Sequence, residues 1–162
     1  MEENQKIPMR SQVKKEDTWA IEDMYATVED WEKDFAAAKK VAEEAAEYAG
    51  RLGESAQALY DWSVLTEKLD CMLNEIYGYA SRVKDQDTAD AAGQTLSARA
   101  MGLYVECSGL ISFADPEILS IPEEKLEAFY AEKPELLKYR RSINEVRRCK
   151  DHILSPELEK IL

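Results

Sequence analysis

The chain has 162 residues, 33 acidic against 21 basic, for a formal net charge of -12. That balance excludes nucleic acid and anionic membrane as ready partners, because both demand clustered Lys and Arg; any charged partner is cationic, and a solvated acidic surface is the plain reading. Only six Gly and five Pro exclude a turn-rich β protein or a disordered chain, and the length suits one domain with a real core.

In chain order, residues 1 to about 17 are polar, carry Pro8 and show no period, so they read as an extended arm. Thr18 to Tyr25 follows with Trp19, Ile21, Met24 and Tyr25, too much apolar surface to leave in water, and is expected to pin the arm to the body. Thr27 then caps a helix with Glu29 and Asp30 in its first turn, at the positive end of the helix dipole. Its apolar face is Trp31, Phe35, Ala38, Ala42, Ala45 and Ala49, and Gly50 stops it.

The dominant pattern runs from Ser55 to Ala114. Trp62, Leu65, Leu69, Met72, Ile76, Tyr79 and Val83 recur at steps of three and four, as do Leu96, Ala100, Leu103, Cys107, Leu110 and Ala114. Each series is a narrow seam along one side of a helix. The short polar run from Lys84 to Thr88 forces the two helices antiparallel, which predicts a long hairpin. If Ile76 faces Leu96, Tyr79 faces Gly93, and a ring opposite a missing side chain accounts for glycine in a helix.

Asp115-Pro116 is expected to end the second arm, with one short turn through Leu119. A modest helix that starts at Ser120 or Ile121 and runs through about Ala131 is broken at Lys133-Pro134, and Pro134 opens another whose basic end carries Arg147, Arg148 and Lys150. Ser155-Pro156-Glu157 is a strong helix start followed by barely two turns, with Leu158, Ile161 and Leu162 apolar, so the chain reads as truncated at its C-terminal side. The fold class is therefore all-α: a helical bundle built on a long antiparallel helical hairpin, with an extended arm and anchoring turn over 1–26 and a helical domain over 27–162.

No residue pattern here carries chemistry, and no catalytic, cofactor-binding or metal-ligating residue is assigned. His152 is the single histidine, which rules out His-Glu-x-x-His within the chain. Cys149 and His152 make at most half of a structural zinc site, which needs four ligands. Glu67, Glu75 and Glu106 lie beside the seams, but no Glu stands three residues before the histidine, as a di-metal carboxylate bundle requires. Tyr60, Tyr77, Tyr79 and Tyr104 fall at helical spacing and read as core or groove lining. Cys71, Cys107 and Cys149 are widely spaced free thiols, and residues 1–6 lack an apolar signal core, so a cytoplasmic location is expected.

Several segments, in order, resemble the N-terminal region of oligoendopeptidase F, a family of zinc metallopeptidases related to thimet oligopeptidase. They are Pro8-Met9-Arg10 with Thr18 to Tyr25, Trp31-Glu32, Tyr77-Gly78-Tyr79-Ala80-Ser81 with Asp85-Gln86-Asp87-Thr88, Phe113 to Leu119, Tyr139-Arg140-Arg141, and His152 to Leu162. The resemblance implies an all-helical enzyme that cleaves short peptides in a deep channel, with zinc held by His-Glu-x-x-His and a further glutamate. None of those residues is here, so what carries over is a non-catalytic lobe that roofs or walls the channel, partnered by the catalytic domain of the same protein. Zinc is expected only in the full-length enzyme, and this chain alone is expected to be inactive. A stand-alone helical interaction or scaffold protein is the alternative. Self-association through exposed apolar surface is a further expectation.

Overall fold

The structure, a computed structural model, describes residues 8–149. Every regular element among them is helical: α1 (Val28–Ala46), α2 (Ala56–Gln86), α3 (Ala91–Leu110), α4 (Ala114–Ser120), α5 (Glu123–Glu132) and α6 (Arg140–Arg148). Short 3-10 turns at Arg10–Gln12, Lys15–Asp17 and Ile21–Asp23 precede α1, and one at Pro134–Tyr139 separates α5 from α6. The all-α class expected from the sequence is what the chain adopts. Two compact units form, 8–38 with 71–105 and 39–70 with 106–149, each taking part of α1, α2 and α3.

In the first unit, α1 starts as its sequence dictates. Thr27 Oγ1 accepts the main-chain N–H of Asp30 at 3.2 Å, and Lys33 Nζ holds the Asp30 carboxylate at 2.7 Å. Trp31 and Ala38 are buried, as the apolar face predicts. The Trp31 indole N–H donates to the main-chain carbonyl of Ile76 at 3.0 Å. Arg99 of α3 binds Glu32 of α1 with both guanidinium nitrogens, Nη2 to Oε2 at 2.8 Å, and its guanidinium carbon lies 5.2 Å from the Trp31 ring centre and 5.0 Å from that of Phe35. A charge-assisted fork laid over two rings fixes α1 against α3 here.

Four residues, 87–90, join α2 to α3, and Asp90 caps the second helix by accepting the N–H of Gly93 at 2.9 Å. The predicted partner of Gly93 is corrected. A Cβ there would lie 3.2 Å from the Cα of Lys84, so the close neighbour of this glycine is main chain, not the Tyr79 ring. Tyr79 packs instead on the edge of Tyr25, with ring centres 5.2 Å apart.

The arm is tied down by part of the expected segment. Tyr25 is buried and its hydroxyl donates to Asp34 at 3.0 Å. Met24 lies beside Gly78, and Arg10 hydrogen-bonds the Gln86 side chain. Trp19, expected inside, is 55% exposed; the turn at Ile21–Asp23 carries the chain inward only after it.

In the second unit, α1 ends at Ala46 and Gly50 takes φ +82, the left-handed conformation that glycine adopts without steric cost. Ala49, assigned to the apolar face, lies past the helix end and is exposed. The core joins Leu52, Leu59, Ile118, Leu126, Leu136 and Ile143. Helix α3 stops at Leu110, earlier than the end expected at Asp115-Pro116, and that pair sits in the first turn of α4, where a missing N–H costs nothing. Arg147 does not serve its own helix end. It donates to the carbonyls of Ile121 at 2.6 Å and Ile118 at 3.3 Å and pairs with Glu123 at 2.7 Å, closing the C-terminus of α4.

Candidate functional site

On α2, Trp62, Ser63, Thr66, Glu67 and Asp70 are spaced to share one face. With residues that begin at Ile111 and continue through α4, the 3-10 turn and α6, that face lines an open cavity of about 410 Å³ in the second unit. Its apolar wall is Ile111, Ile118, Ile143 and Val146, and Asp115, Ser142, Lys138 and Tyr139 supply further polar groups.

Glu67 is the polar hub. Its Oε2 accepts from Lys138 Nζ at 2.6 Å and from the Tyr139 hydroxyl at 2.7 Å. The hydrogen bond from Lys138, and then that from Tyr139, hold its carboxyl below the usual glutamate range. The same bond raises Lys138. Burial first, and then Glu67, push the Tyr139 phenol up. Asp70 moves the other way from Glu67, since burial disfavours its charged form and raises its pKa. Tyr139 is itself positioned by Tyr60, with ring centres 6.2 Å apart. The Trp62 indole N–H is buried without a hydrogen-bond partner.

Among the described residues that line the cavity, the Glu67, Lys138 and Tyr139 polar groups are engaged with one another. Cys107 is buried, and burial pushes its thiol above the usual range, which suits a core residue. Cys71 and Cys149 are exposed. Among the described residues no three His, Cys, Asp or Glu side chains group closely enough to hold a metal ion, so the donors present do not fit zinc. Of the glutamates weighed as ligands, Glu106 pairs with Lys39 at 2.6 Å and Glu75 is exposed. Tyr79 is buried and Tyr60 half-buried, whereas Tyr77 and Tyr104 face solvent. His152 and the apolar residues after it lie outside the described residues. The cavity escaped the sequence because its walls come from segments some 70 positions apart; the one legible sign was Glu67 beside a seam.

No helix among the described residues is long and apolar enough to cross a membrane. A family model described as Oligopeptidase F matches residues 117–162. Oligopeptidase PepF of Bacillus subtilis is 38% identical over 96% of this chain, and the group B oligopeptidase PepB of Streptococcus agalactiae is 32% identical over 94%. The chain spans only about a quarter of these relatives, 23% and 26% of their lengths. The crystal structure of oligoendopeptidase-F from Enterococcus faecium superposes with a TM-score of 0.74 at 26% identity, covering 83% of this chain and 26% of that one. A Chlamydophila abortus structure at 22% identity shares the fold over 96% of this chain and 26% of its own, with a TM-score of 0.82. The chain corresponds over nearly its whole length to the N-terminal region of oligoendopeptidase F-like peptidases.

Proposed function

We propose that this chain is the non-catalytic helical lobe of a zinc-dependent oligoendopeptidase that hydrolyses short peptides, and that it roofs or walls the substrate channel. The observation that carries this reading is the continuous match along nearly all of this chain to about a quarter of each relative. On this reading the zinc chemistry is supplied by residues outside this chain. A lobe of this kind acts by excluding bulk and limiting substrate size, work that needs packed helices and no reactive side chain.

The test is a chimera in which this chain replaces the aligned segment of the Bacillus subtilis relative. The chimera is expected to cleave a quenched short peptide, to lose that activity to a chelator, and to leave an unfolded protein of several hundred residues intact. A chimera that degrades the long chain as readily as the short peptide removes the walling role. Cleavage by the 162-residue chain on its own, abolished by a chelator, removes the non-catalytic one.

A further inference from the structure

We propose that the outward face of α3 between Ala98 and Val105 is the surface on which a helix from the rest of the peptidase packs. Ala98, Met101, Gly102 and Val105 recur at steps of three and four and so share one side of the helix, with Tyr104 at its margin. Leu96, Ala100 and Leu103 fill the opposite side and are buried. The outward residues are all exposed, Val105 by 64%, Tyr104 by 47% and Met101 by 46%. No other stretch of the described residues leaves as many large apolar side chains to solvent within five positions. Charged residues make up 33% of the sequence, yet this face carries none. Arg99, the one charged residue between Ala98 and Val105, is turned onto Glu32 and the rings of Trp31 and Phe35.

Gly102 is a second, independent observation. Glycine inside a helix destabilises it relative to alanine. Gly78 and Gly93 each have a close neighbour, Arg82 with Met24 and the Lys84 main chain, but a Cβ at Gly102 would meet nothing within 4 Å. Nothing in this chain accounts for the missing side chain, whereas a helix laid across it does, since backbones approach closest where a side chain is absent. Met101 and Val105 stand on either side of that gap as the ridges a second helix fits between. The chain spans 23% and 26% of its relatives, so about three-quarters of such a peptidase must meet this segment somewhere. An apolar face without charges is the surface that costs least to bury. A second copy is the weaker occupant, because two chains of net charge -12 repel.

The inference rests on the reading of this chain as one lobe of a larger peptidase and names the surface by which the lobe is held. The test places Val105→Cys in the 162-residue protein and in the chimera with the Bacillus subtilis relative, both carrying Cys71→Ser and Cys149→Ser. Alkylation by a maleimide is timed at that residue by mass spectrometry, beside a control at Lys33→Cys, an exposed position of α1. Val105→Cys is expected to label at least about tenfold more slowly in the chimera, and the control to stay within about twofold. Gly102→Leu is expected to melt no lower than the parent in the 162-residue protein, where the new side chain meets open space, and several degrees lower in the chimera. The intact relative, with cysteine at the position aligned to Val105, supplies the same reading if the chimera does not assemble. Equal labelling in both proteins, equal slowing of the control, or a chimera stabilised by Gly102→Leu overturns the surface. Slowing in the 162-residue protein as its own concentration rises gives the face to a second copy, and slowing only on addition of a peptide gives it to substrate; either result overturns the proposal. A chimera that shields Val105→Cys yet degrades long chains loses only the walling role. A selective chimera that leaves Val105→Cys open loses only this surface.

Discussion

The indole N–H of Trp31 donates to the main-chain carbonyl of Ile76 at 3.0 Å, joining α1 to α2 across 45 positions of sequence with both residues fully buried. The bond orients a large ring that also carries Arg99 on its face. Trp31→Phe keeps an aromatic in place but removes the donor and part of the ring. Loss of a buried hydrogen bond and creation of a small cavity together are expected to cost about 2–3 kcal/mol. Urea unfolding followed by circular dichroism should show a lower midpoint with an unchanged slope. An unchanged midpoint would mean that the bond contributes nothing net.

Glu117 does comparable work in the second unit. Its carboxylate accepts the main-chain N–H groups of Leu52, at 3.1 Å, and of Gly50, more than 60 positions upstream. Glu117→Ala leaves two N–H groups short of an acceptor and is expected to destabilise by about 2 kcal/mol; Glu117→Gln keeps one acceptor oxygen and should lose about half as much. Gly50→Ala tests the same loop independently, since its φ of +82 costs an L-residue about 1 kcal/mol. Thermal melts of the three variants should rank Glu117→Ala as the least stable; equal melting of that variant and the parent would discard the capping role.

What the sequence showed and what it hid follow from the range of the interactions. Helix existence, the Thr27 cap, the α3 seam through Cys107 and the break at Lys133-Pro134 rest on neighbours within a turn or two, so periodicity and capping chemistry reveal them. The correspondence with oligoendopeptidase F was legible because several short motifs stand in matching order along the chain. Glu117, Arg147 and the Glu67 hub were not, because each satisfies main-chain or side-chain partners that only the fold brings near. Trp19 misled for a related reason: a count of apolar residues says how much surface needs cover, not which ring obtains it.

Gly93→Ala separates two reasons for a glycine at the start of α3. Helix propensity alone would make alanine stabilising by roughly 1 kcal/mol. The new Cβ would press on the Lys84 main chain at 3.2 Å, tighter than ordinary packing, and main chain yields less readily than a side-chain end. The expected outcome is a net loss of about 1 kcal/mol in thermal unfolding. A higher melting temperature would show that α2 moves aside without cost.

The cavity carboxylates make opposite contributions to acid stability. Glu67 is held below its usual value by Lys138 and then Tyr139, so its stabilising effect is fully present above the ordinary glutamate pKa of about 4.3 and disappears as pH falls through its folded value. Asp70 is raised by burial. The folded state therefore binds a proton before the unfolded state does, and stability rises as pH falls from the folded Asp70 value toward the ordinary aspartate value of about 3.9. Melting temperatures of the parent, Glu67→Gln and Asp70→Asn across the acid range should separate the two. Glu67→Gln should melt lower than the parent at neutral pH and converge with it below about pH 4. Asp70→Asn should differ from the parent most at neutral pH and lose the rise on acidification. Added salt should shrink the Glu67 effect, since Lys138 is largely exposed, and should leave the Asp70 effect nearly unchanged, because desolvation is not screened. A Glu67 effect that grew on acidification would reverse the assigned sign and remove the ion pair from the account of this cavity.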